Sequence, residues 1–481
     1  MGYSAEGPVM RVGPAEDWES ASRRCVLALL RRGYSMRSTK QGLKRGTWDG
    51  WPARVALMVA LGVMTLSPIA HAQDPSDYAT AGEWRQFGGP TRDFQVEAPS
   101  LANAWPEGGP TRLWSRPLGP GHSSVIVDDG RLYTMFRPQV EGARWASEET
   151  VIALDAATGE MVWDYSYPSR PMDFNFGAGP HSSPLVVGDR LFTVGTNKQF
   201  HVFDKRSGEL LWSHDLVADF NAPPTLIRPA VKAGYGASPT AYKDMVIVTA
   251  GGPGQSVLAF RQEDGSLVWR GGDFLISPAT PMLIDVDGQT QLLVYGGQTI
   301  NGLDPDTGTV LWTHEHETQG DMNNSTPVWG DDNILFMTSN YNGGGRAVQL
   351  SRDGAETRVE ELWFNTRLAV MFGNVLRLGD YLYGSSGGFG PAIVTALDVK
   401  TGEAVWQQRG YGRSSFVHAD GKAIMLSEDG RLVLARLSPE GFEVLSSVAL
   451  LDTTAWTAPT LVGTTLYVRD RAQIVALDVG E

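Results

Sequence analysis

Short apolar or alternating runs, cut by Gly, Asp and Thr, recur through residues 111–481. VIALD (151–155) and EMVW (160–163) flank one tight turn, and each reads as a strand. SSPLVVGDRLFTVG (182–195) reads as two strands about a Gly188-Asp189 hairpin turn. DGRLYTM, KDMVIVTA, GDYLYGSS, DGKAIMLS and GTTLYVRD write the same hairpin elsewhere.

The runs belong to a repeat. Asp155, Thr158, Gly159 and Trp163 set a spacing that Asp204, Ser207, Gly208 and Trp212 copy. Asp304, Thr307, Gly308 and Trp312 copy it again, as do Asp398, Thr401, Gly402 and Trp406. Three further copies are degenerate: Asp264, Gly265 and Trp269; Gly354 and Trp363 across a stretched turn; and Gly441 with Leu445 at the Trp position. The Asp side chain can accept from backbone N–H groups two or three residues on, and Gly supplies the positive φ the turn needs. The Trp positions step by 49, 57, 43, 51, 43 and 39 residues. That is near the period of a four-stranded propeller blade.

The chain ends on an eighth phrase, IVALD, with no Trp to finish it, while TRLWSRP near residue 114 is an orphan strand. Joining the two closes a ring and removes the open sheet edges. The expectation is an all-β, eight-bladed propeller over residues 111–481, its last blade completed by the strand of Trp114. Residues 73–110 are a lead-in, and residues 1–72 an N-terminal extension with a signal peptide.

The A-x-D-x-x-T-G-x-x-x-W phrase resembles the tryptophan-docking motif of the pyrroloquinoline-quinone (PQQ) repeat propellers. The opening WRQFGGPTRDF (84–94) is similar to the start of periplasmic members of that family. The resemblance implies that Trp114, Trp163, Trp212, Trp269, Trp312, Trp363 and Trp406 pack between blades and do not touch a cofactor. It leaves function open, because the family holds both BamB-type scaffold subunits and quinoprotein dehydrogenases.

RVALMVALGVMTLSPIA (54–70) follows Lys40, Lys44, Arg45 and Arg54 and precedes AHA (70–72). A basic region, an apolar run and a small-x-small site read as a secretory signal cleaved near Ala72. The expected location is therefore periplasmic or secreted, with no membrane span after cleavage. Met36 would be a more ordinary start for such a signal. Cys25, the one cysteine, lies upstream of the cleavage site, so neither a disulfide nor a lipid anchor is expected. Residues 73–481 keep 30 Lys+Arg against 49 Asp+Glu, a formal charge of −19. So acidic a chain disfavours nucleic acid and anionic lipid. A monomer is expected.

Long irregular links gather on one face of such a disc: 137–149, 166–181, 215–236, 339–347 and 385–392. Elaboration confined to one face points to binding there. The inner strands begin GHSS, PHSS, YGAS, NNST, GRSS and AWTAP, where small residues let eight strands crowd the axis. His122, His181, Tyr235, Asn324, Arg413 and Trp456 beside them are the candidates for a polar funnel with an aromatic wall. HEHE (314–317) could place His314 and His316 as a metal pair, though a solvated strand end is the simpler reading, and no metal site is assigned. DVDGQTQ (285–291) resembles the start of a calcium loop but falls where a hairpin turn belongs.

Three functions follow, one of them another ligand-binding or hydrolytic role at the funnel. The preferred one is a non-catalytic binding or scaffold propeller, without cofactor, whose partner is an envelope protein or a small ligand. The alternative is a PQQ- and calcium-dependent dehydrogenase of alcohols or sugars. Asp173, Asp273 or Asp321 would then supply the base, and Arg228 and Arg413 would meet the quinone carboxylates.

Overall fold

The computed structural model describes residues 83–172, 176–224, 234–388 and 390–481. Among these, 32 strands form eight four-stranded antiparallel sheets. Seven sheets take consecutive strands: residues 126–168, 185–215, 240–271, 282–315, 328–365, 375–408 and 414–449, here blades 1 to 7. Blade 8 runs through Thr460–Val462, Thr465–Arg469 and Gln473–Asp478, and Thr111–Pro117 adds its outermost strand. The result is an eight-bladed β-propeller closed by the N-terminal strand, with Trp114 opposite Ala476. The Gly188-Asp189 turn joins Val187 to its partner Arg190, as its sequence predicts.

The repeat phrase has a mechanical meaning at each blade rim. Asp155 Oδ1 accepts from the backbone N–H groups of Ala157 and Thr158 at 3.0 and 2.9 Å and from Thr158 Oγ1 at 3.0 Å, which closes the turn. Asp204 and Asp398 do the same in their blades. In the outer strand Trp163 pairs with Ala153 and Met161 with Leu154, so Val162 is a β-bulge. Such a bulge re-aims the residue beside it. Here it turns Trp163 onto the next blade and leaves Val162 in solvent. Leu113, Leu211, Val268 and Val405 are bulged and exposed in the same way.

Each re-aimed indole meets the next blade's turn. Trp114 Nε1 donates to Ala156 O (3.0 Å), Trp163 to Lys205 O (3.0 Å), Trp212 to Gln262 O (3.2 Å) and Trp269 to Pro305 O (3.0 Å). Trp363 and Trp406 reach Val399 O and Ser438 O, both at 2.8 Å. Five of these rings then lie against the turn glycine, while Gly441 ahead of Trp406 has no neighbour. A Cβ on Gly159 would come within 2.6 Å of Trp114, and one on Gly208 within 2.6 Å of Trp163. The motif glycine thus answers two demands: positive φ (73° and 76° at these sites) and room for the neighbour's indole.

Blade 5 shows the rule by its exception. Its stretched turn leaves Gly354 with no neighbour, so Trp312 has no dock ahead of it. Trp312 bonds within its own blade instead, Nε1 to Gln291 Oε1 at 2.7 Å, over Gly302.

Closure between blades 8 and 1 has its own pin. Arg469 is fully buried. Its Nη1 donates to Ser123 O, Thr134 Oγ1 and Met135 O at 2.8–3.1 Å, and its Nη2 to Gly119 O at 3.2 Å. These four acceptors offset the cost of burying the charge, although Nε meets none.

The lead-in is part of the propeller. Trp84 bridges Val127 of blade 1, and Arg85 O accepts from Val186 N of blade 2. Arg92 Nη1 donates to Thr240 Oγ1 (3.2 Å) and Pro281 O (3.0 Å) of blades 3 and 4. Gln95 Nε2 donates to Arg377 O of blade 6, and His418 N of blade 7 donates to Phe94 O. Residues 84–96 therefore cross the axis and stop one end of the channel.

Candidate functional site

With one end stopped, the channel is a blind cavity of about 160 Å³. Phe87 and Phe94 of the lead-in line its floor. Its wall is a hoop of small polar residues at equivalent positions in the inner strands, among them Ser124, Ser238, Thr280, Asn374 and Ser415. The hoop stitches blades together. Ser124 N donates to Ser183 Oγ (2.9 Å), Ser183 N to Ser238 Oγ (3.0 Å) and Ser238 N to Thr280 Oγ1 (3.0 Å). Asn374 closes a two-way pair with the Phe416 backbone at 2.8 and 3.0 Å. Small hydroxyl residues at the axis are thus inter-blade fasteners as well as spacers.

Two residues before the hoop, the side chains turn to the mouth. His122, His181, Asn324 and Trp456, all singled out from the sequence, line the cavity. Phe372 stands at the same register position two before Asn374 and was missed. Aligning the inner strands on their hoop residue would have found it. Phe176 and Met322 reach the mouth from the long links, where no periodicity marks them.

The mouth is a nest of rings. His122 stacks on His181 at 5.4 Å and lies 5.1 Å from Trp456. Trp456 lies 4.5 Å from Phe372, and Phe372 5.2 Å from Phe176. Arg471 stands over Trp456 at 4.9 Å and donates through Nε and Nη2 to His122 Nε2 (3.3 and 3.2 Å) and through Nη2 to Phe176 O (3.1 Å). His122 Nε2 also lies 3.2 Å from Phe176 O, so it meets a donor and an acceptor at once and its role follows the tautomer. Both histidines touch the cavity but are surrounded by protein. Burial, the neighbouring ring and Arg471 hold His122 well below the ordinary imidazole range. Burial, reinforced by Arg471, takes His181 down to about 4. At neutral pH the pair is uncharged.

The other sequence candidates lie elsewhere. Tyr235 is buried, with its hydroxyl on Thr249 Oγ1 at 3.1 Å, in the apolar core beside blades 2 and 3. It sits one residue off the mouth register, where Gly236 lines the cavity, and a shift of one reverses the side chain's face. Arg413 has the right register but bonds Glu428 Oε2 (2.8 and 2.6 Å) and Gly388 O. Glu428 Oε2 also accepts from Trp456 Nε1 at 3.0 Å, so this ion pair braces the wall from behind.

Asp273 is exposed and accepts from Gly254 N; Asp321 is buried, accepts from Gln298 Nε2 at 2.7 Å, and does not line the cavity. Asp173 and Arg228, like the expected signal peptide, lie outside the described residues. His314 is set beside Arg346 and Glu361, and His316 is buried against Tyr295. Asp285 caps a hairpin turn through Gly288 N at 2.8 Å. Among the described residues no three His, Cys, Asp or Glu side chains are grouped to hold a metal ion, and no helix is long and apolar enough to cross a membrane.

Known proteins bear on this geometry. A family described as outer membrane protein assembly factor BamB matches residues 147–408, more than half of the chain. The BamB of Yersinia pestis is 23% identical over 321 residues, 56% of this chain and 76% of that protein. The polyvinylalcohol dehydrogenase of Sphingopyxis sp. (strain 113P3) is 27% identical over 191 residues, 37% of this chain. The chain covers only 27% of that enzyme's length.

Among solved structures, BamB from Moraxella catarrhalis superposes with a TM-score of 0.54 at 17% identity, covering 77% of this chain and 99% of that one. The quinohemoprotein alcohol dehydrogenase of Comamonas testosteroni gives 0.56 at 14% identity, covering 84% and 82%. At these identities the structures speak for the fold. With the repeat phrase, the eight docked blades and the family match in hand, the chain belongs to the PQQ-repeat propellers of the BamB family.

Proposed function

We propose that this propeller is an exported, non-catalytic binding or scaffold protein of the bacterial periplasm, acting through its long-link face and axial cavity. The observation that supports this reading is the make-up of the cavity wall: rings, hydroxyls, amides and two neutral imidazoles, with no Asp, Glu or Lys among the described lining residues. A general base needs a titrating group within hydrogen-bond reach of its proton. Burial and Arg471 hold both histidines far from a pKa near neutrality.

The described wall does not fit a calcium-held quinone. Calcium takes hard oxygen ligands, carboxylates foremost. Glu428, the carboxylate behind the wall, is engaged by Arg413 and Trp456. The BamB relatives, titled outer membrane protein assembly factors, add support for a protein partner in the envelope. The test is a titration of the purified protein with PQQ and Ca²⁺, following quinone absorbance and dye reduction by alcohols and aldoses. No saturable binding and no turnover is the expected result. Binding with turnover would replace this reading by a quinoprotein dehydrogenase.

A further inference from the structure

The rim of the cavity holds a positive charge that no described carboxylate balances. Four other arginines at blade junctions are answered by carboxylates, Arg413 by Glu428, Arg137 by Glu149, Arg346 by Glu361 and Arg377 by Asp332, while Arg469 is met by carbonyl and hydroxyl oxygens. Arg471 forms no ion pair among the described residues. Its sequence neighbour Asp470 is occupied, accepting from the N–H groups of Ala472 and Gln473 at 2.8 Å and of Thr453 at 3.0 Å. Arg471 spends Nε and Nη2 on His122 and Phe176 O and keeps Nη1 for another partner. Gly177 lines the cavity beside it. A Cβ at that position would come within 3.4 Å of Nη2 and 3.6 Å of His122 Nε2, so the missing side chain leaves the approach open.

The cavity beside this charge, reached through the lining residues His122, Phe176 and Trp456 that Arg471 touches, is small. An apolar cavity of about 150 Å³ takes one benzene ring. The volume here, about 160 Å³, suits a single ring. Trp456, Phe372 and Phe176 present ring faces and edges 4.5–6.4 Å apart, the spacing at which aromatic groups attract one another. The remaining Nη1 of the guanidinium can meet one carboxylate oxygen through a charge-assisted bond.

We propose that the axial cavity binds a small monocarboxylate bearing one aromatic ring, with the ring among Trp456, Phe372 and Phe176 and the carboxylate on Arg471. This rests on the binding-protein reading above and names the ligand class of the same cavity.

Calorimetric titration of the full chain with phenylacetate, phenylacetamide and acetate tests it. Phenylacetate should bind saturably, with the neutral amide and the ring-less acid each weaker by about tenfold or more. Arg471→Gln should abolish the preference for acid over amide, Arg471→Lys should keep part of it, and Phe372→Ala should weaken both ring compounds alike. Urea midpoints of the three variants check that they fold. Equal binding of acid and amide, or a preference that survives Arg471→Gln, overturns the assignment. So does a failure of every ring compound to bind at millimolar concentration. That last outcome leaves the binding-protein reading standing if PQQ and Ca²⁺ also fail to bind; binding of PQQ with dye reduction instead removes that reading itself.

Discussion

The rim and the axis of this propeller are built on opposite logics. At the rim, one Asp-Thr-Gly-Trp phrase is written again and again, and at five blade junctions it performs the same act, an indole laid on the next blade's glycine. At the axis the eight inner strands share only a hoop of small polar residues. The position two before the hoop takes seven residue types in eight blades: His122, His181, Gly236, Pro278, Asn324, Phe372, Arg413 and Trp456. Repetition marks what every blade must do to stay stacked. Its loss marks where blades are free to differ, and that is where an asymmetric site can be made.

The strongest way to break the comparison lies within the repeat. Gly208→Ala places a Cβ 2.6 Å from the Trp163 indole at a φ of 76°. Left-handed strain of about 1–2 kcal/mol adds to overpacking of about 1–3 kcal/mol, so a loss of about 3–4 kcal/mol is expected. Gly354→Ala, at a φ of 64° but with nothing to meet, should cost only the backbone share, about 1–2 kcal/mol. Urea unfolding of both variants decides it; equal losses would mean that the indole does not need the glycine.

The next test separates inter-blade histidines from the mouth. His201 and His316 are buried, and desolvation lowers them to about 4 and about 3. A base whose folded pKa lies below its unfolded value near 6.5 keeps its stability above pH 6.5. Below that the unfolded state binds the extra proton and stability falls, until the folded pKa is reached. Each should contribute a slope of about 1.4 kcal/mol per pH unit between pH 6 and pH 4 at most. His316→Phe should flatten the fall of the urea midpoint over that window, and a wild-type midpoint that does not move below pH 6 would refute the burial argument.

The smallest expected effect is at the hoop. Ser183→Ala removes the acceptor for Ser124 N and leaves a buried N–H, worth about 1–3 kcal/mol. Because the mouth residues sit two positions away and face the cavity, ligand binding there should change less than twofold by calorimetry.

What the chain determined by itself is the periodic part. The count of eight blades, closure through Trp114, the Asp-capped turns and the docking role of the tryptophans all follow from local spacing, because a turn or a bulge is made by residues a few positions apart. Part of the mouth was legible too, since His122, His181, Asn324 and Trp456 share one register with the hoop. Tyr235 misled by a single residue, and in a strand a single residue changes the face. Only the tertiary structure decided the rest. Residues 84–96 plug the axis through contacts with six blades, from Val127 to His418, spread over some 290 residues of chain. Phe176 and Arg471 meet at His122 from links 295 residues apart. Arg413, matched in register to the mouth, is withdrawn from it by Glu428. Such meetings are products of ring closure, which sets His122 and Arg471 side by side at the mouth, and no pattern of neighbouring residues encodes them.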